Sequence, residues 1–577
     1  MRNKIIIILF VLSVINSCAP TSQSFVGKGK TIDPYNYTSN KNGNYSKACV
    51  VSAHPLASAA GNAMFAKGGN AFDAAIATQL ALAVVYSNAG NIGGGGFLVA
   101  RKNDGALLSL DYREMAPAAA SRNMYLDKDG NAQNNQSEAG HLSCGVPGTV
   151  AGLFATLKYA KLPFKELIQP AIDLAQHGFA ITQQEADGLN GIKNDFIKYS
   201  TRSSAFVKAE AWKAGNILKQ PELAATLIRI RDNGAAGFYE GETAKLIVEE
   251  MQRGNGLITY SDLKNYVVKE RTPVEFDYRG YHIISMPPPS SGGILLAQMC
   301  GMIESYPVSN YGFQSTQSVQ LMTEAERRAY ADRAEHMGDP DFWNVPQQML
   351  MSKAYLTERM KNYTPSSATP SRNIWAGKVM YESEQTTHIS IADNDGNMVS
   401  VTTTLNDSYG SKTVVGGAGF IMNDEMDDFS IKPGVPNMYG AVGGDANAIA
   451  PGKRMLSSMT PTLVLKDNKP FMVVGTPGGT TIPTSVFQSI VNVIDFGMNA
   501  TDAVNKPKFH HQWLPDTVFT EKGFSSATAS AMQNMNYKIV EREAIGRTEM
   551  ILISFEGEKM KIQAAADERG DDSAAGE

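Results

Sequence analysis

The alternation of hydrophobic and polar residues predicts several hairpins separated by helices. The most informative hairpin lies at residues 386–406, where two runs rich in β-branched residues flank a turn of Asp, Asn and Gly at residues 393–397. With that turn as the loop, Ala392 pairs with Met398, and counting outward places Thr386 opposite Thr404. Opposed residues have Cβ atoms about 4.5–5.5 Å apart. The sequence therefore predicts that two threonine hydroxyls meet at the open end of a hairpin.

The same patterning predicts the remaining elements. Further hairpins are expected at 97–111 and 462–475, with a strand pattern at 274–286. Helices are expected at the following positions: 56–67, 71–85, much of 148–260, 294–304, 316–335 and from 482 onward. Hairpins interspersed with long helices favour an α+β fold in which helices pack on antiparallel sheets.

A glycine-rich segment at residues 90–96 contains five glycines. No lysine follows in the pattern of a phosphate-binding loop, so we interpret this segment as a place of close backbone packing. A second glycine pair, Gly478 and Gly479, lies at a predicted strand-to-helix turn. Backbone N–H groups point outward at such a turn, which makes this pair a candidate anion or oxyanion site.

Composition and charge narrow the classes of function. The chain has 577 residues, of which 43% are hydrophobic, so it can bury a large core as two to four domains or as one composite unit. The net charge is −5 and there is no basic run, which argues against a nucleic-acid partner. Cys49, Cys144 and Cys300 are widely spaced, so they indicate buried free thiols rather than a disulfide framework or a zinc site.

The N-terminus has the pattern of an export signal. Arg2 and Lys4 precede an apolar run at residues 5–15, which is too short to span a bilayer comfortably. The run ends in Ile15-Asn16-Ser17-Cys18, which resembles a bacterial lipobox, where the cysteine is lipidated and becomes the mature N-terminus. An ordinary cleaved signal is the alternative.

These features predict a lipoprotein signal peptide at residues 1–17, a lipidated Cys18 and a polar tether at 18–47. Ala19 stands where an aspartate often retains lipoproteins at the inner membrane. We therefore expect an exported, periplasmic protein anchored to the outer rather than the inner membrane, with the lipid as its only membrane contact.

The hairpin end suggests a specific chemistry. If the chain is cut before Thr386, the new N-terminal threonine is a nucleophile with its own α-amine as base. This chemistry needs no metal and no cofactor. His388, His510 and His511 invite a metal-binding or base interpretation, but we interpret them as structural because acyl transfer by an N-terminal threonine does not require them.

Seven motifs in order resemble the γ-glutamyltranspeptidase family, also called glutathione hydrolases, from about Ala48 to the end of the chain. They are DYREMAP at 111–117, PPSSGG at 288–293, QTTH at 385–388, MDDFS at 426–430, KRMLSSMTP at 453–461, GTPGG at 475–479 and FHHQWLP at 509–515. The resemblance implies the four-layer αββα sandwich of N-terminal-nucleophile hydrolases. It also implies a precursor that cuts itself into a large subunit, 48–385, and a small catalytic subunit, 386–577. The two remain associated as a heterodimer and form one composite αββα unit.

The resemblance further implies a role for each candidate residue. Thr386 would attack the Gln385 carbonyl to cut the chain and would then attack the γ-glutamyl amide of glutathione or a related compound. Water, an amino acid or a dipeptide would resolve the acyl-enzyme. Thr404 would support the nucleophile, and Gly478 and Gly479 would bind the oxyanion.

A γ-glutamyl group also carries an α-carboxylate and an α-ammonium, and a guanidinium suits the carboxylate. By resemblance, Arg113 fills that role with Ser457 and Ser458, and Tyr439 closes a lid at 432–444. Asn406, Glu425 and Asp428 would hold the ammonium. Glu425 and Asp428 are three positions apart and would share a face if their turn is helical.

Two alternatives remain open at this point. A glutaryl acylase of the cephalosporin type would have the same fold, but its substrate lacks the ammonium that Asn406, Glu425 and Asp428 would bind. A non-catalytic binding lipoprotein would not need the threonines and glycines of the candidate catalytic set. Taken singly, Arg113 also fits a surface salt bridge, Asp428 a turn cap and Thr404 plain β-propensity.

Overall fold

The computed structural model describes residues 33–375, 386–432, 434–435 and 443–577. The predicted signal peptide, Cys18, Gln385 and Tyr439 lie outside these ranges. The strands are β1 Asn42–Tyr45, β2 Ala48–Ser52, β3 Gly95–Arg101, β4 Leu107–Tyr112, β5 Phe179–Ala180, β6 Ile217–Leu218, β7 Lys269–Glu270, β8 Val274–Tyr278, β9 Tyr281–Ser285, β10 Thr387–Asp393, β11 Met398–Thr404, β12 Thr462–Lys466, β13 Lys469–Gly475, β14 Phe509–His510, β15 Val518–Glu521, β16 Ile539–Arg542, β17 Glu549–Glu556, β18 Lys559–Ala566 and β19 Ser573–Gly576.

Helices connect and cover these strands. The α-helices are α1 Pro55–Ala66, α2 Ala71–Val85, α3 Asn134–Glu138, α4 Thr149–Leu157, α5 Phe164–His177, α6 Gln183–Tyr199, α7 Pro221–Asn233, α8 Ala236–Tyr239, α9 Gly241–Gly254, α10 Tyr260–Lys264, α11 Gly292–Ile303, α12 Val308–Tyr311, α13 Thr316–His336, α14 Gln347–Leu350, α15 Lys353–Arg359, α16 Thr481–Ile494, α17 Ala500–Asn505 and α18 Ser526–Asn534. Short 3₁₀ helices occur at His141–Ser143, Ser371–Asn373, Glu425–Asp428 and Asp445–Asn447.

Two seven-stranded antiparallel sheets form the centre of the fold. The first sheet has the order β1-β18-β17-β13-β12-β9-β8, and the second has the order β19-β2-β10-β11-β3-β4-β7. Apolar side chains of both sheets, such as Phe97, Val99, Leu463 and Val473, pack together in one core. Helices α1 and α2 pack on the outer face of the second sheet, and α11, α13 and α16 pack on the outer face of the first. The predicted αββα layering is therefore confirmed.

The predicted central hairpin is β10–β11. Thr387 pairs with Thr403 and Ala392 pairs with Met398, which is the predicted register. Both strands are buried along their whole length because β2 and β3 flank them and layers cover both faces. The polar side chains toward the first sheet are satisfied there: Ser390 Oγ donates to the Glu549 carbonyl at 3.0 Å.

Two predictions about local structure differ from what is observed. The strand pattern at 274–286 is a hairpin, because Arg279 and Gly280 adopt positive φ values of 52° and 79° and turn the chain between β8 and β9. The polar stretch predicted as a tether contributes β1, which pairs with β18. Its short Asn-Gly-Asn-Tyr sequence carries little apolar signal, and it joins the sheet through its backbone.

Other features agree with the sequence analysis. Helix α2 is buried along its entire length, and Cys49, Cys144 and Cys300 are buried free thiols. Within the described ranges, no helix combines the length and the apolar character that crossing a bilayer requires.

Candidate active site

A pocket opens at the end of the β10–β11 hairpin. It is lined by Arg113, Thr386, Thr404, Asn406, Glu425, Asp428, Ser457, Ser458, Met459, Gly479 and Ile482. The fold thus brings together nearly every described residue that we predicted for the site, from positions far apart in the chain. Gly478 adjoins the lining residue Gly479 but does not itself line the described pocket.

The hairpin positions the two threonines of the pocket. Thr386 directly precedes β10 and Thr404 ends β11, and both are nearly inaccessible to solvent. Asn406 follows with a positive φ of 81°, so the chain turns sharply after the strand. Its backbone N–H donates to Thr404 Oγ1 at 2.8 Å, and its side chain donates to the Asp424 carbonyl at 3.0 Å. This turn places Asn406 beside the 3₁₀ helix that carries two of the predicted acids.

The glycine-rich segment at residues 90–96 forms hydrogen bonds with the end of β11, a role that the sequence did not predict. Asn91 Nδ2 donates to Thr403 Oγ1 at 3.2 Å and to the Thr404 carbonyl at 2.8 Å. A Cβ atom at Gly94 would lie 2.1 Å from the Thr404 carbonyl oxygen, so only glycine permits this approach. The expected close backbone packing is confirmed, and the glycine cluster was its signal.

Arg113 occupies the charged end of the pocket. It is almost fully buried and forms salt bridges with Glu425 and Asp428, and it lies 3.4 Å from Glu114. Burial opposes its charge, but the three carboxylates outweigh burial and raise the pKa of Arg113 above its ordinary value. The arginine is therefore neither exposed nor at the surface, and the surface salt-bridge interpretation is wrong.

Three carboxyl groups, those of Glu114, Glu425 and Asp428, surround the Arg113 guanidinium. Burial raises the pKa of Glu114 to about 7 and raises the pKa values of Glu425 and Asp428, while Arg113 opposes each shift. One carboxyl oxygen of Glu114 and one of Glu425 have no hydrogen-bond partner among the described residues. The sequence analysis assigned no role to Glu114, although it adjoins Arg113 in the same motif. The cluster has acceptor capacity left for a further cation.

The 3₁₀ helix at Glu425–Asp428 confirms the expected shared face of its two acids. Asn447 ties this helix to the serine segment. Its Nδ2 donates to the Asp428 carbonyl at 2.7 Å, and its Oδ1 accepts from the Leu456 N–H at 2.9 Å. Asn447 therefore sets the spacing between Asp428 and the two serines that follow Leu456, and nothing local in the sequence marked it.

Ser457 and Ser458 face the pocket from a strand-like segment. The Ser457 N–H donates to the Pro289 carbonyl at 2.9 Å, and the Ser291 N–H donates to the Ser457 carbonyl at 2.8 Å. The PPSSGG motif at 288–293 is thus the backbone support of the serines.

The glycine turn lies between β13 and α16. Gly478 and Gly479 have φ values of 136° and 53°, which favour glycine. The Gly478 carbonyl accepts from the Thr481 N–H at 2.9 Å, so the turn is fixed against the first residue of α16. Their role as oxyanion donors stays a prediction.

The three histidines are buried in the hydrogen-bonded interior. Burial lowers the pKa of His388 to about 3, of His510 to about 3 and of His511 to about 4, so all three are neutral at pH 7. None of them lines the described pocket. In the described ranges, no group of three or more His, Cys, Asp or Glu side chains is arranged to hold a metal ion.

Taken together, the pocket can accept an α-amino acid head group. Arg113 offers a cation and Glu425 and Asp428 offer anions within one small space, where these charges pair with each other. A zwitterionic ligand would exchange those pairings for its own carboxylate and ammonium. Thr386 lines the same pocket and would meet a carbonyl further along the bound molecule.

Comparison with known proteins gives consistent results. The family model described as gamma-glutamyltranspeptidase matches residues 57–577. The glutathione hydrolase proenzyme of Escherichia coli (strain K12) is 47% identical over 532 residues, covering 91% of this chain and 91% of that protein.

Two solved structures are similar to this fold. The crystal structure of cephalosporin acylase from Bacillus halodurans has a TM-score of 0.82 at 25% identity and covers 94% of this chain and 98% of its own. The crystal structure of Helicobacter pylori gamma-glutamyltranspeptidase has a TM-score of 0.56 at 46% identity and covers 56% of this chain and 94% of its own.

Proposed function

The chain belongs to the γ-glutamyltranspeptidase family, and from this premise we propose that it is a γ-glutamyl acyltransferase and glutathione hydrolase with Thr386 as its nucleophile. Its αββα fold is that of the N-terminal-nucleophile hydrolases. One observation carries the proposal: Thr386 shares a small pocket with Arg113, Glu425 and Asp428, whose charges match a γ-glutamyl head group.

The proposed reaction has two acyl-transfer steps. The free α-amine of Thr386 takes the proton of its own hydroxyl, and Oγ1 attacks the γ-carbonyl of the donor. The N–H groups of Gly478 and Gly479 stabilise the oxyanion, a kind of contact whose loss costs about 2.7–4 kcal/mol. The intermediate collapses as the leaving amine takes the proton from the Thr386 ammonium. Water, an amino acid or a dipeptide then attacks the resulting ester and releases glutamate or a new γ-glutamyl compound.

Maturation is proposed to use the same threonine. Thr386 Oγ1 attacks the Gln385 carbonyl, the acyl group moves from nitrogen to oxygen, and water hydrolyses the ester. This step separates the part of the chain that contains the large subunit 48–385 from the small subunit 386–577. The names of the relatives as proenzymes support such processing.

Denaturing electrophoresis with N-terminal sequencing tests the processing step. We expect two bands, with the smaller one beginning at Thr386, and we expect Thr386→Ala to remain one inactive chain. Ser390→Ala is the matched control, because Ser390 is a buried hydroxyl residue of β10, the strand that Thr386 precedes, and it bonds to the Glu549 carbonyl instead of lining the pocket. A single band from active wild-type protein would contradict the proposal.

A glutaryl acylase is the second candidate, and the likeness to the cephalosporin acylase structure favours it. A glutaryl group lacks the α-ammonium, so Glu425 and Asp428 would have no ligand cation to bind. Competition between glutathione and a glutaryl amide decides between the two. We expect glutathione to be the better donor, and a preference for the glutaryl amide would refute the primary assignment.

The lipobox-like sequence supports a proposed location. We propose that residues 1–17 are removed, that Cys18 is lipidated, and that the protein is held at the periplasmic face of the outer membrane. Metabolic labelling with a radioactive fatty acid, followed by membrane fractionation, tests this. Labelling that persists in Cys18→Ala would contradict lipidation at this residue.

A further inference from the structure

A second arginine, Arg333 of α13, lies behind the serine side of the pocket. Its side chain is buried, with 8% of the residue exposed. Its Nη2 donates to Ser458 Oγ at 3.0 Å, and its Nε donates to Ser291 Oγ at 3.0 Å. In the described part of the chain it has no salt bridge, whereas its helix neighbours Arg327 and Arg328 both pair with Glu324.

A buried guanidinium without a salt bridge is unusual, because a buried charge loses its hydration and normally gains a close counter-charge in return. The positive charge of Arg333 also acts on a pocket residue. Burial raises the pKa of Asp428, and Arg333 is one of the groups that oppose this rise. A negatively charged ligand group near Ser458 would supply the missing counter-charge.

The hydrogen bonds of the two serines set the direction of their hydroxyl protons. A hydroxyl has one proton to donate and two lone pairs to accept with. Ser457 Oγ accepts from the Met459 N–H at 3.1 Å, and Ser458 Oγ accepts from Arg333. Each oxygen is thereby engaged as an acceptor on its protein side. Because both serines line the pocket, their protons are left to donate to a ligand there.

Ser291 links Arg333 to the same segment. It accepts from Arg333 Nε and donates from its Oγ to the Ser457 carbonyl at 2.8 Å. The Arg333 guanidinium therefore fixes Ser291, which supports Ser457, and it also bonds directly to the Ser458 hydroxyl. This arrangement gives the PPSSGG motif a part in orienting the anion-binding hydroxyls.

We propose that Arg333 is a positioning residue for the α-carboxylate of the donor: it orients the Ser458 hydroxyl as a hydrogen-bond donor and places an unpaired positive charge behind it. The inference rests on the proposed γ-glutamyl specificity and extends it to a residue that does not line the pocket. Arg113 faces the carboxylate from inside the pocket, and Arg333 acts on it through Ser458.

The experiment compares two donors in the processed enzyme. One is γ-glutamyl-p-nitroanilide, and the other is its analogue with an α-carboxamide in place of the α-carboxylate. For Arg333→Gln we expect kcat/KM to fall about 10–100-fold with the first donor, mainly through KM, since this is the range for hydrogen bonds to charged groups. With the carboxamide donor we expect kcat/KM to change by less than about twofold, because the neutral carboxamide has no negative charge that Arg333 could stabilise.

Two lysine variants separate positioning from folding. Arg333→Lys keeps the charge but cannot bond to both serines, so its loss should be intermediate and again confined to the carboxylate donor. Arg328→Lys is the matched control, because it alters a buried arginine of the same helix that bonds to Glu324 instead. It should affect both donors equally.

The outcomes are distinguishable. Equal losses on both donors for both Arg333 variants would mean that the residue only supports the fold, and the inference would be overturned. Unchanged kinetics would overturn it as well. If wild-type enzyme cut at Thr386 released p-nitroaniline from neither donor but did so from the glutaryl anilide, the proposed function itself would fail, and this inference with it.

Discussion

A single guanidinium organises the charged end of the pocket at the scale of residues. Arg113 is surrounded by Glu114, Glu425 and Asp428, all of them largely or fully buried. Burial disfavours the charged form of each carboxyl and raises the pKa of all three acids, while Arg113 opposes these shifts. Glu114 contacts Arg113 without a proposed role in ligand binding, and its charge raises the pKa values of Arg113 and Glu425.

Glu114 should make the stability of the protein depend on pH. Burial raises its pKa from about 4.5 to about 7 in the folded state. Between these pH values the folded protein keeps a proton on Glu114 that the unfolded chain has lost. The contribution of Glu114 to the free energy of unfolding is therefore fully present below pH 4.5 and is lost as the pH rises towards 7. Glu114→Gln lacks this titration. We therefore expect its free energy of unfolding, relative to that of wild type, to be higher at pH 8 than at pH 5.

Urea denaturation of the two proteins at pH 5, 6, 7 and 8 measures this difference. Glu358→Gln serves as the control, because Glu358 is an exposed glutamate whose replacement should leave the pH profile unchanged. Parallel profiles for wild type and Glu114→Gln would show that Glu114 does not titrate differently in the folded state.

At the scale of elements, the site depends on short irregular segments that the regular strands hold in place. The β10–β11 hairpin presents the threonines, the 3₁₀ helix at Glu425–Asp428 presents the acids, and the segment around Ser457 faces both. Asn447 is the direct link between the last two, through its bonds to the Asp428 carbonyl and the Leu456 N–H.

Replacing Asn447 with alanine should weaken donor binding. The substitution removes a hydrogen bond to the Asp428 carbonyl and leaves the buried Leu456 N–H without its acceptor, at a cost of about 1–3 kcal/mol. Asp428 is then held less firmly relative to the serines. We expect lower stability in urea and a KM for the γ-glutamyl donor raised about tenfold, the equivalent of one such bond, with a smaller change in kcat.

Asn492→Ala is the matched control for this prediction. Asn492 is equally buried, but it donates to the Ala503 carbonyl of α17 and not to a segment that lines the pocket. It should lose stability without a change in KM. An unchanged KM in Asn447→Ala would show that the acids and serines keep their spacing without this link.

At the scale of the whole molecule, each of the two sheets combines strands that precede residue 386 with strands that follow it. β2 lies between β19 and β10 in the second sheet, and β12 pairs with β9 in the first. The proposed cut therefore separates two chains that share continuous hydrogen-bonded sheets and common cores. Neither chain alone has a complete sheet.

We expect the two chains to stay together after processing. They should elute as one species in gel filtration and separate only in denaturant, in the same transition that abolishes activity. Large and small segments produced separately should not give activity when mixed, because each would expose apolar core surface and strand edges that the other segment covers. Dissociation in native buffer would contradict this expectation.

Sequence patterning predicted helices packed on antiparallel sheets and the β10–β11 hairpin, and the motif resemblance supplied the four-layer αββα arrangement. Alternation and turn residues specified the β10–β11 register, because side-chain period and loop length leave one pairing that keeps Ala392 opposite Met398. Helix α2 was predicted with its observed bounds, since its apolar run has clear ends. The motif resemblance then assigned most of the pocket residues from positions that are far apart in the chain.

Only the tertiary structure decided how the charges pair and what supports them. Arg113 pairs with Glu425 and Asp428, and Asn447 connects two segments of the pocket wall. Arg333 donates to Ser458 and forms no salt bridge with any described residue. Each of these contacts joins elements that are distant in sequence, and burial decides their electrostatics. A linear pattern records neither the distance between such side chains nor the solvent that each one loses on folding.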